Sequence, residues 1–284
     1  MRARKKLWAL IAVVLIFCGV AFGFVGFVLA GFDFSKLNGD GKEVTNEHVI
    51  EEDFSKIEID TATSDIRFET ATDGKAKVVC VETEKRYHDV SVKNGTLMIK
   101  ETSKKKWFEF IGFFNGIGSK REIVIYLPEM KTAAGSDRKL SKETKYELEG
   151  LKIETSTGDV KVNDIYVKSE LNINTSTGEL SLSNVVAGKL IIDTSTGDVT
   201  MDETEVFDNM KIETSTGRVK MTKSDANTVQ IDTSTGDVTC EFLSRKNVKT
   251  DTSTGSVSVQ ESLESGGACT IDTSTGDIRV TYAN

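Results

Sequence analysis

Carboxylate side chains recur on both sides of a repeated Thr-Ser-Thr-Gly sequence, and they are the groups in this chain best suited to chemistry. Four residues before each glycine stand Glu154, Asn174, Asp193, Glu213, Asp232, Asp251 and Asp272. One residue after each glycine stand Asp159, Glu179, Asp198, Arg218, Asp237, Ser256 and Asp277. Calcium prefers carboxylate oxygens, and most glycosidases use a carboxylic acid pair. The glycine-rich nonapeptide of calcium-binding solenoids is absent, so we predict a solvated acidic face, with Asp159, Glu179, Asp198, Asp237 and Asp277 as candidate contact residues.

Catalysis has little support in the remaining residues. His48 and His88 are the only histidines, and the chain contains no GxSxG, HExxH or P-loop sequence. Each repeat presents the same side chains, whereas an active site needs one particular set of different side chains at a single place. We therefore predict no enzyme activity, no catalytic or metal-binding residue and no cofactor.

A basic and aromatic segment at residues 104–121 is the second candidate site. Its candidate contact residues are Lys104, Lys105, Lys106, Trp107, Phe108, Phe110, Phe113 and Phe114. Aromatic rings flanked by lysines suit an anionic membrane interface or a protein partner. The alternative is a hairpin that covers the open end of the repeat array.

The elements that position these groups follow from the repeat itself. The glycine recurs in steps of 20, 19, 20, 19, 19 and 21 residues, at Gly158, Gly178, Gly197, Gly217, Gly236, Gly255 and Gly276. Apolar residues stand seven and five positions before it and two and four positions after it, which indicates two short strands joined at a glycine corner. A single unit of this size buries too little apolar surface to be stable alone. We predict an all-β fold, a parallel β-solenoid (β-helix) of about 20-residue rungs, over a meander of hairpins.

The alternation predicts which corner side chains point inward. Both threonines share the register of the inward leucine and isoleucine, so we expect them to be buried in a hydrogen-bonded ladder, with the serine outside. Residues 57–68 match the repeat with Ser64 at the glycine position, and residues 90–99 match it around Gly95. We assign residues 56–150 to irregular N-terminal rungs and a cap, and residues 151–284 to the regular repeats.

The amino terminus has the pattern of a membrane anchor. Arg2, Arg4, Lys5 and Lys6 precede a 26-residue uncharged run at residues 7–32, long enough to cross a bilayer. The basic residues place residues 1–6 in the cytoplasm and the chain after residue 33 outside, with residues 33–55 as a linker. A cleavable signal peptide is the alternative, but the run exceeds the usual apolar core of about 7–15 residues.

Charge and cysteine content limit the partners. Residues 33–284 hold 32 basic residues (36 minus the four at the amino terminus) against 44 acidic ones, a formal charge of −12. Phosphate contacts need lysine and arginine clusters, so we predict no nucleic-acid binding. Cys80, Cys240 and Cys269 are an odd number with no close pair, and two of them stand in apolar columns of the repeat, so we expect buried free thiols.

The repeated Ile-x-Thr-Ser-Thr-Gly-Asp-Val sequence, together with the anchor and Leu127-Pro128 after the strand of residues 123–126, resembles a bacterial family. This is the β-strand-repeat family of putative adhesins of unknown function, which includes the LiaG-like envelope proteins. The resemblance implies a membrane-anchored envelope protein. The uniform polar faces of the rungs and the basic and aromatic segment predict a binding or scaffold module, single-pass in the cell membrane, that engages envelope polymer or a membrane-protein partner. The resemblance also implies, as an alternative, an accessory of an envelope-stress system.

Overall fold

The computed structural model describes residues 42–83, 85–103, 121–129 and 146–283, and every regular element in those ranges is a β-strand. No helix in this described part is long and apolar enough to cross a membrane. The predicted anchor at residues 7–32 and nearly all of the basic and aromatic segment lie outside the described residues, so both stay predictions. The chain forms two compact units, and the second (Thr45–Glu82, Tyr87–Thr102 and Arg121–Asn284) holds the repeats.

The strands before the regular repeats are β1 (Glu43–Val49), β2 (Lys56–Thr63), β3 (Asp65–Ala71), β4 (Lys77–Thr83), β5 (Arg86–Lys93), β6 (Thr96–Ser103), β7 (Glu122–Pro128) and β8 (Tyr146–Leu148). The regular repeats contain β9 (Gly150–Thr157), β10 (Val160–Asn163), β11 (Ile165–Thr177), β12 (Leu180–Ser183), β13 (Val186–Thr196), β14 (Val199–Asp202), β15 (Glu205–Thr216), β16 (Val219–Thr235), β17 (Val238–Phe242), β18 (Lys246–Thr254), β19 (Val257–Val259), β20 (Gly267–Thr275) and β21 (Ile278–Tyr282).

Each rung stacks in parallel on its neighbours, which confirms the all-β, solenoid-like prediction. On the side before the glycine, the hydrogen-bonded order is β2, β9, β11, β13, β15, β16, β20 and β18. On the side after it, the order is β3, β10, β12, β14, β16, β17, β21 and β19. Equivalent residues lie opposite each other on adjacent rungs. Ile173, for example, lies opposite Ile153 on one side and Ile192 on the other.

The last two rungs stack out of chain order. Strands β20 and β21 of the seventh rung lie between the fifth rung and the sixth rung, so β18 and β19 form the terminal layer. This position accounts for the unusual composition of the sixth rung. Thr250 stands where six of the copies have isoleucine, and Val257 is 47% exposed because no rung of the described part of the chain covers it.

The four apolar columns form the core of this unit. In the first five rungs and the seventh, all four column residues are buried, and the third-rung set, for example, is Leu190, Ile192, Val199 and Met201. Burying such a side chain fully stabilises a fold by about 1.5–3 kcal/mol. Cys240 and Cys269 occupy two column positions, and with Cys80 they are buried free thiols, as predicted.

The N-terminal end of the array departs from the repeat. Strands β6 and β7 stack in parallel on β2 and β3, but β4 pairs antiparallel with β7. The predicted rung corner at Gly95 is wrong. Asn94 and Gly95 both have positive φ (51° and 73°), the combination of a tight hairpin turn, whereas the corner glycines have φ between 141° and 158°.

Candidate functional site

The corner is a close backbone contact between rungs. A Cβ atom placed on Gly178 would lie 2.0 Å from the carbonyl oxygen of Gly158, and one on Gly197 would lie 1.9 Å from that of Gly178. Ser64 fills the glycine position of the first rung, and its carbonyl oxygen lies 2.1 Å from a Cβ on Gly158. Each later rung therefore needs glycine at this point, both for its φ and for the space.

The acidic row after the glycine has a structural role. Asp159, Asp198, Asp237 and Asp277 each accept a hydrogen bond from the backbone N–H of the adjacent rung, with N···Oδ1 distances of 2.8–2.9 Å. Asp65 accepts the same bond from Asp159 at 3.0 Å. These carboxylates therefore satisfy, through one oxygen each, corner amides that the strand ladder leaves over.

Arg218 breaks the acidic sequence of this row and forms an ion pair within it. Its guanidinium donates to Asp198 Oδ2 at 2.6 Å and 3.1 Å. Hydrogen bonds from the Arg218 side chain and backbone hold the pKa of Asp198 below its ordinary value. Backbone and hydroxyl hydrogen bonds from Ser256 lower the pKa of Asp277 in the same way. Asp198 and Asp277 therefore help to hold adjacent rungs together.

The two threonines of each corner differ in burial. The first threonine, such as Thr175 or Thr194, is 2% exposed, as predicted, but the second is exposed together with the serine. The predicted inward position of the second threonine is wrong because the strict alternation ends where the chain bends towards the glycine. Hydroxyl groups of Thr175 and Thr273 donate to corner carbonyls at 3.4 Å and 3.3 Å. Those of Thr194, Thr214 and Thr233 are buried without a hydrogen-bond partner among the described residues, so the expected ladder of mutually bonded threonines is wrong.

A shallow groove follows the other acidic column along the last rungs. Its acidic residues are Asp193, Glu213, Asp232, Asp251 and Asp272, and its serines are Ser215, Ser234, Ser253 and Ser274. Adjacent rungs repeat these side chains about every 4.8 Å. We call this surface the aspartate–serine groove. It presents carboxylates and hydroxyls in a regular row, and, unlike the first row, its carboxylates do not serve as caps for corner amides.

Asp272 lies in the most crowded part of the aspartate–serine groove. Its strand partners in the two adjacent rungs are Asp232 and Asp251. Partial burial, and then the charges of these two carboxylates, raise the pKa of Asp272 above its ordinary value of 3.8. The inserted seventh rung decides which residue holds this middle position, since chain order would have placed Asp251 between Asp232 and Asp272.

We expect Asp272→Asn to stabilise the protein at neutral pH by roughly 0.2–0.5 kcal/mol, a small effect because solvent screens the charge. A carboxyl whose pKa is raised by folding destabilises the folded state as pH rises from 3.8 through the raised value. Urea unfolding of variant and wild type at several pH values checks this. The advantage of the variant should vanish below pH 3.8, and a constant difference at all pH values would contradict the assignment.

A buried polar cluster in the N-terminal end was not predicted. Glu82 and His88 are 2% and 4% exposed, and His88 Nδ1 lies 2.9 Å from Glu82 Oε2. Cys80 is fully buried beside them, and burial followed by the charge of Glu82 raises the pKa of its thiol to about 12. The signal in the sequence was the alternation of Cys80 and Glu82, which places both side chains on one face of a strand.

A stack of near-identical β-rungs with repeated polar faces defines the class: a β-solenoid-like repeat protein. The family model described as Toastrack DUF4097 matches residues 54–284, and the chain belongs to this family. No curated protein matches the chain in sequence.

Several solved structures are similar to this chain. One is a putative adhesin from Bacteroides fragilis, 16% identical, covering 85% of this chain and 97% of that chain, with a TM-score of 0.48. A putative cell adhesion protein from Clostridium sporogenes is 12% identical, covering 85% and 100%, with a TM-score of 0.38. A putative lipid binding protein from Parabacteroides distasonis is 15% identical, covering 87% and 99%, with a TM-score of 0.31.

Proposed function

We propose that this protein is a membrane-anchored binding module that holds a hydroxyl-rich polymer of the bacterial cell envelope along the aspartate–serine groove. The observation that carries the proposal is the regular row of carboxylates and serine hydroxyls on successive rungs. A ligand with its own repeat can make the same contact on several rungs at once, so weak individual bonds add up. The proposed role is binding, with no catalytic step.

The location in this proposal rests on the sequence. The uncharged run at residues 7–32 behind four basic residues supports an uncleaved single-pass anchor with a cytoplasmic amino terminus. The −12 charge of residues 33–284 supports a neutral or hydroxylated ligand over an anionic polymer, since anions would be repelled.

A second candidate function is an accessory role in envelope-stress signalling through a membrane-protein partner. The observation that favours it is the basic and aromatic segment, whose five rings and five basic residues suit contact at a membrane surface. In this role a signal would cross the membrane through that partner.

Co-sedimentation of the full-length protein with purified cell-wall sacculi tests the groove. We expect the triple variant Asp193→Asn/Asp232→Asn/Asp272→Asn to reduce the pelleted fraction at least fivefold, because it alters three rungs of one surface. The matched control, Asp202→Asn/Asp208→Asn/Glu264→Gln, makes the same charge change at exposed sites outside the groove. Equal pelleting of the two variants would exclude the groove as the binding surface.

In-cell cross-linking tests the second candidate function. The double variant Trp107→Ala/Phe110→Ala should weaken cross-linking of the protein to membrane-protein partners if the segment makes that contact. Sacculus binding should be unaffected by this variant. If this double variant lost sacculus binding while the triple groove variant still bound normally, the binding function would belong to the basic and aromatic segment.

A further inference from the structure

The buried cluster of Cys80, Glu82 and His88 has the arrangement of a metal site. Cys80 and Glu82 stand two residues apart on β4, so their side chains share one face, and His88 lies on β5. One ligand atom from each residue lies within 4.8 Å of the other two, and all three residues are buried. These residues lie far along the chain from the aspartate–serine groove, and the proposed function does not use them.

The charge balance of the cluster favours a cation. Glu82 receives hydrogen bonds from Asn46 Nδ2, from the backbone N–H of His88 at 2.7 Å, and from the His88 ring. Within the described residues, the Glu82 carboxylate forms its ion pair with His88, a side chain that is charged only when it is protonated. Burying a carboxylate is costly unless a charge compensates it. A divalent cation between the three side chains would supply that compensation and allow the thiol to bind as a thiolate.

The far side of the imidazole is also arranged as metal sites require. His88 Nε2 lies 3.3 Å from Thr61 Oγ1, and that hydroxyl donates to Glu101 Oε2 at 3.0 Å. A histidine that binds metal through one nitrogen characteristically donates its other N–H to a polar group linked to a carboxylate. Thr61 and Glu101 would therefore fix the ring with Nε2 protonated and Nδ1 directed at the metal.

We propose that Cys80 Sγ, Glu82 Oε2 and His88 Nδ1 bind one Zn²⁺ ion, with the fourth position filled by a water molecule. Thiolate, imidazole and carboxylate together suit zinc, whereas calcium and magnesium prefer oxygen ligands alone. Two ligands of a tetrahedral zinc ion stand about 3.4 Å apart, so the 2.9 Å contact between His88 Nδ1 and Glu82 Oε2 must lengthen by about half an ångström. Binding releases the Cys80 thiol proton to solvent, and the zinc-bound imidazole of His88 is neutral with its one proton on Nε2.

The test uses full-length protein, refolded from denaturant with a chelator and then supplied with Zn²⁺ or Co²⁺. We expect about one zinc ion per chain, together with the near-ultraviolet absorption of a cobalt–thiolate bond in the Co²⁺ form. Zinc affinity, measured by competition with a chromophoric chelator, should fall at least 100-fold in Cys80→Ser and in His88→Gln. Thr61→Val, which removes only the positioning hydroxyl, should weaken binding about 10–100-fold.

The matched control is Cys240→Ser, which removes another buried thiol from a purely apolar column and should leave zinc affinity unchanged. The Co²⁺ spectrum of the wild type needs no variant, so the test survives if Cys80→Ser fails to fold. Absence of bound metal in folded wild type, a cobalt spectrum without the thiolate band, or unchanged affinity in a folded Cys80→Ser protein would each overturn the proposal.

Discussion

We expect Gly178→Ala to lower the free energy of unfolding by about 3–5 kcal/mol, because two costs combine at this corner. The φ of Gly178 is 146°, which side-chain-bearing residues rarely adopt. The new Cβ would also lie 2.0 Å from the carbonyl oxygen of Gly158, a backbone atom that cannot rotate away. Urea unfolding followed by circular dichroism measures the loss.

Gly150→Ala is the matched control for the corner variant. Its φ lies outside the glycine-favouring range, and a Cβ there would meet its nearest atom at 3.8 Å, an ordinary contact. We expect a change within about 0.5 kcal/mol. If Gly178→Ala were as mild as this control, the rungs could not be stacked through their glycine corners.

Lys246→Met is the second substitution with a large expected effect, a loss of about 3–5 kcal/mol. Lys246 is 3% exposed, and its ammonium group donates to Ala226 O at 2.5 Å and Ser244 Oγ at 3.0 Å and pairs with Asp225. Methionine keeps the stem but leaves the Asp225 carboxylate without its cation in a largely buried position. Thermal and urea unfolding both measure the effect.

Two further variants separate charge from packing at this pair. Lys189→Met removes a lysine whose pair with Glu170 is exposed (42% and 39%), and we expect at most about 1 kcal/mol. Asp225→Ala in the Lys246→Met background should recover part of the lost stability, because no unpaired charge then remains. If the double variant were less stable than Lys246→Met alone, the lysine would act through packing and not through charge.

The regular part of the fold was predictable because its signals are local. The glycine spacing fixed the rung length, and apolar residues two apart on each side of the corner fixed the strands and the inward columns. The burial of Ile192 and Val199 and the free thiols of Cys240 and Cys269 follow from that register alone. Nothing beyond the residue pattern was needed.

The order of the last rungs was not predictable from the same signals. The column that contains Ile271 and Ile231 holds isoleucine in six of the seven rungs. Any of these rungs could therefore stack on the fifth, and matching apolar columns do not specify the order of the rungs. The available clue was Thr250, a polar residue in an apolar column, which marks a layer covered on one side only. The prediction of a rung corner at Gly95 was wrong because it relied on the surrounding apolar residues. The Asn94-Gly95 pair, which is typical of a tight hairpin turn, was the better signal.

The candidate site was predictable only in part. The sequence identified two acidic columns, but it could not show that Asp159 and Asp237 bond to backbone amides of the next rung. That role depends on corner geometry, and it leaves the column of Asp232 and Asp272 as the better candidate surface. The cluster around His88 joins residues from separate strands, and single-strand patterns do not reveal such contacts.

The rung order is tested most directly by paired cysteines, since it decides which carboxylate of the aspartate–serine groove lies between the other two. Neighbouring parallel strands hold facing Cα atoms about 4.8 Å apart, within reach of a disulfide, whereas strands two rungs apart are about 9.6 Å apart and out of reach. Under mild oxidation, Asp232→Cys/Asp272→Cys should form an intramolecular disulfide, identified by peptide mapping, and Asp232→Cys/Asp251→Cys should not. The reverse result would mean that the rungs stack in chain order and that Asp272 does not lie between Asp232 and Asp251.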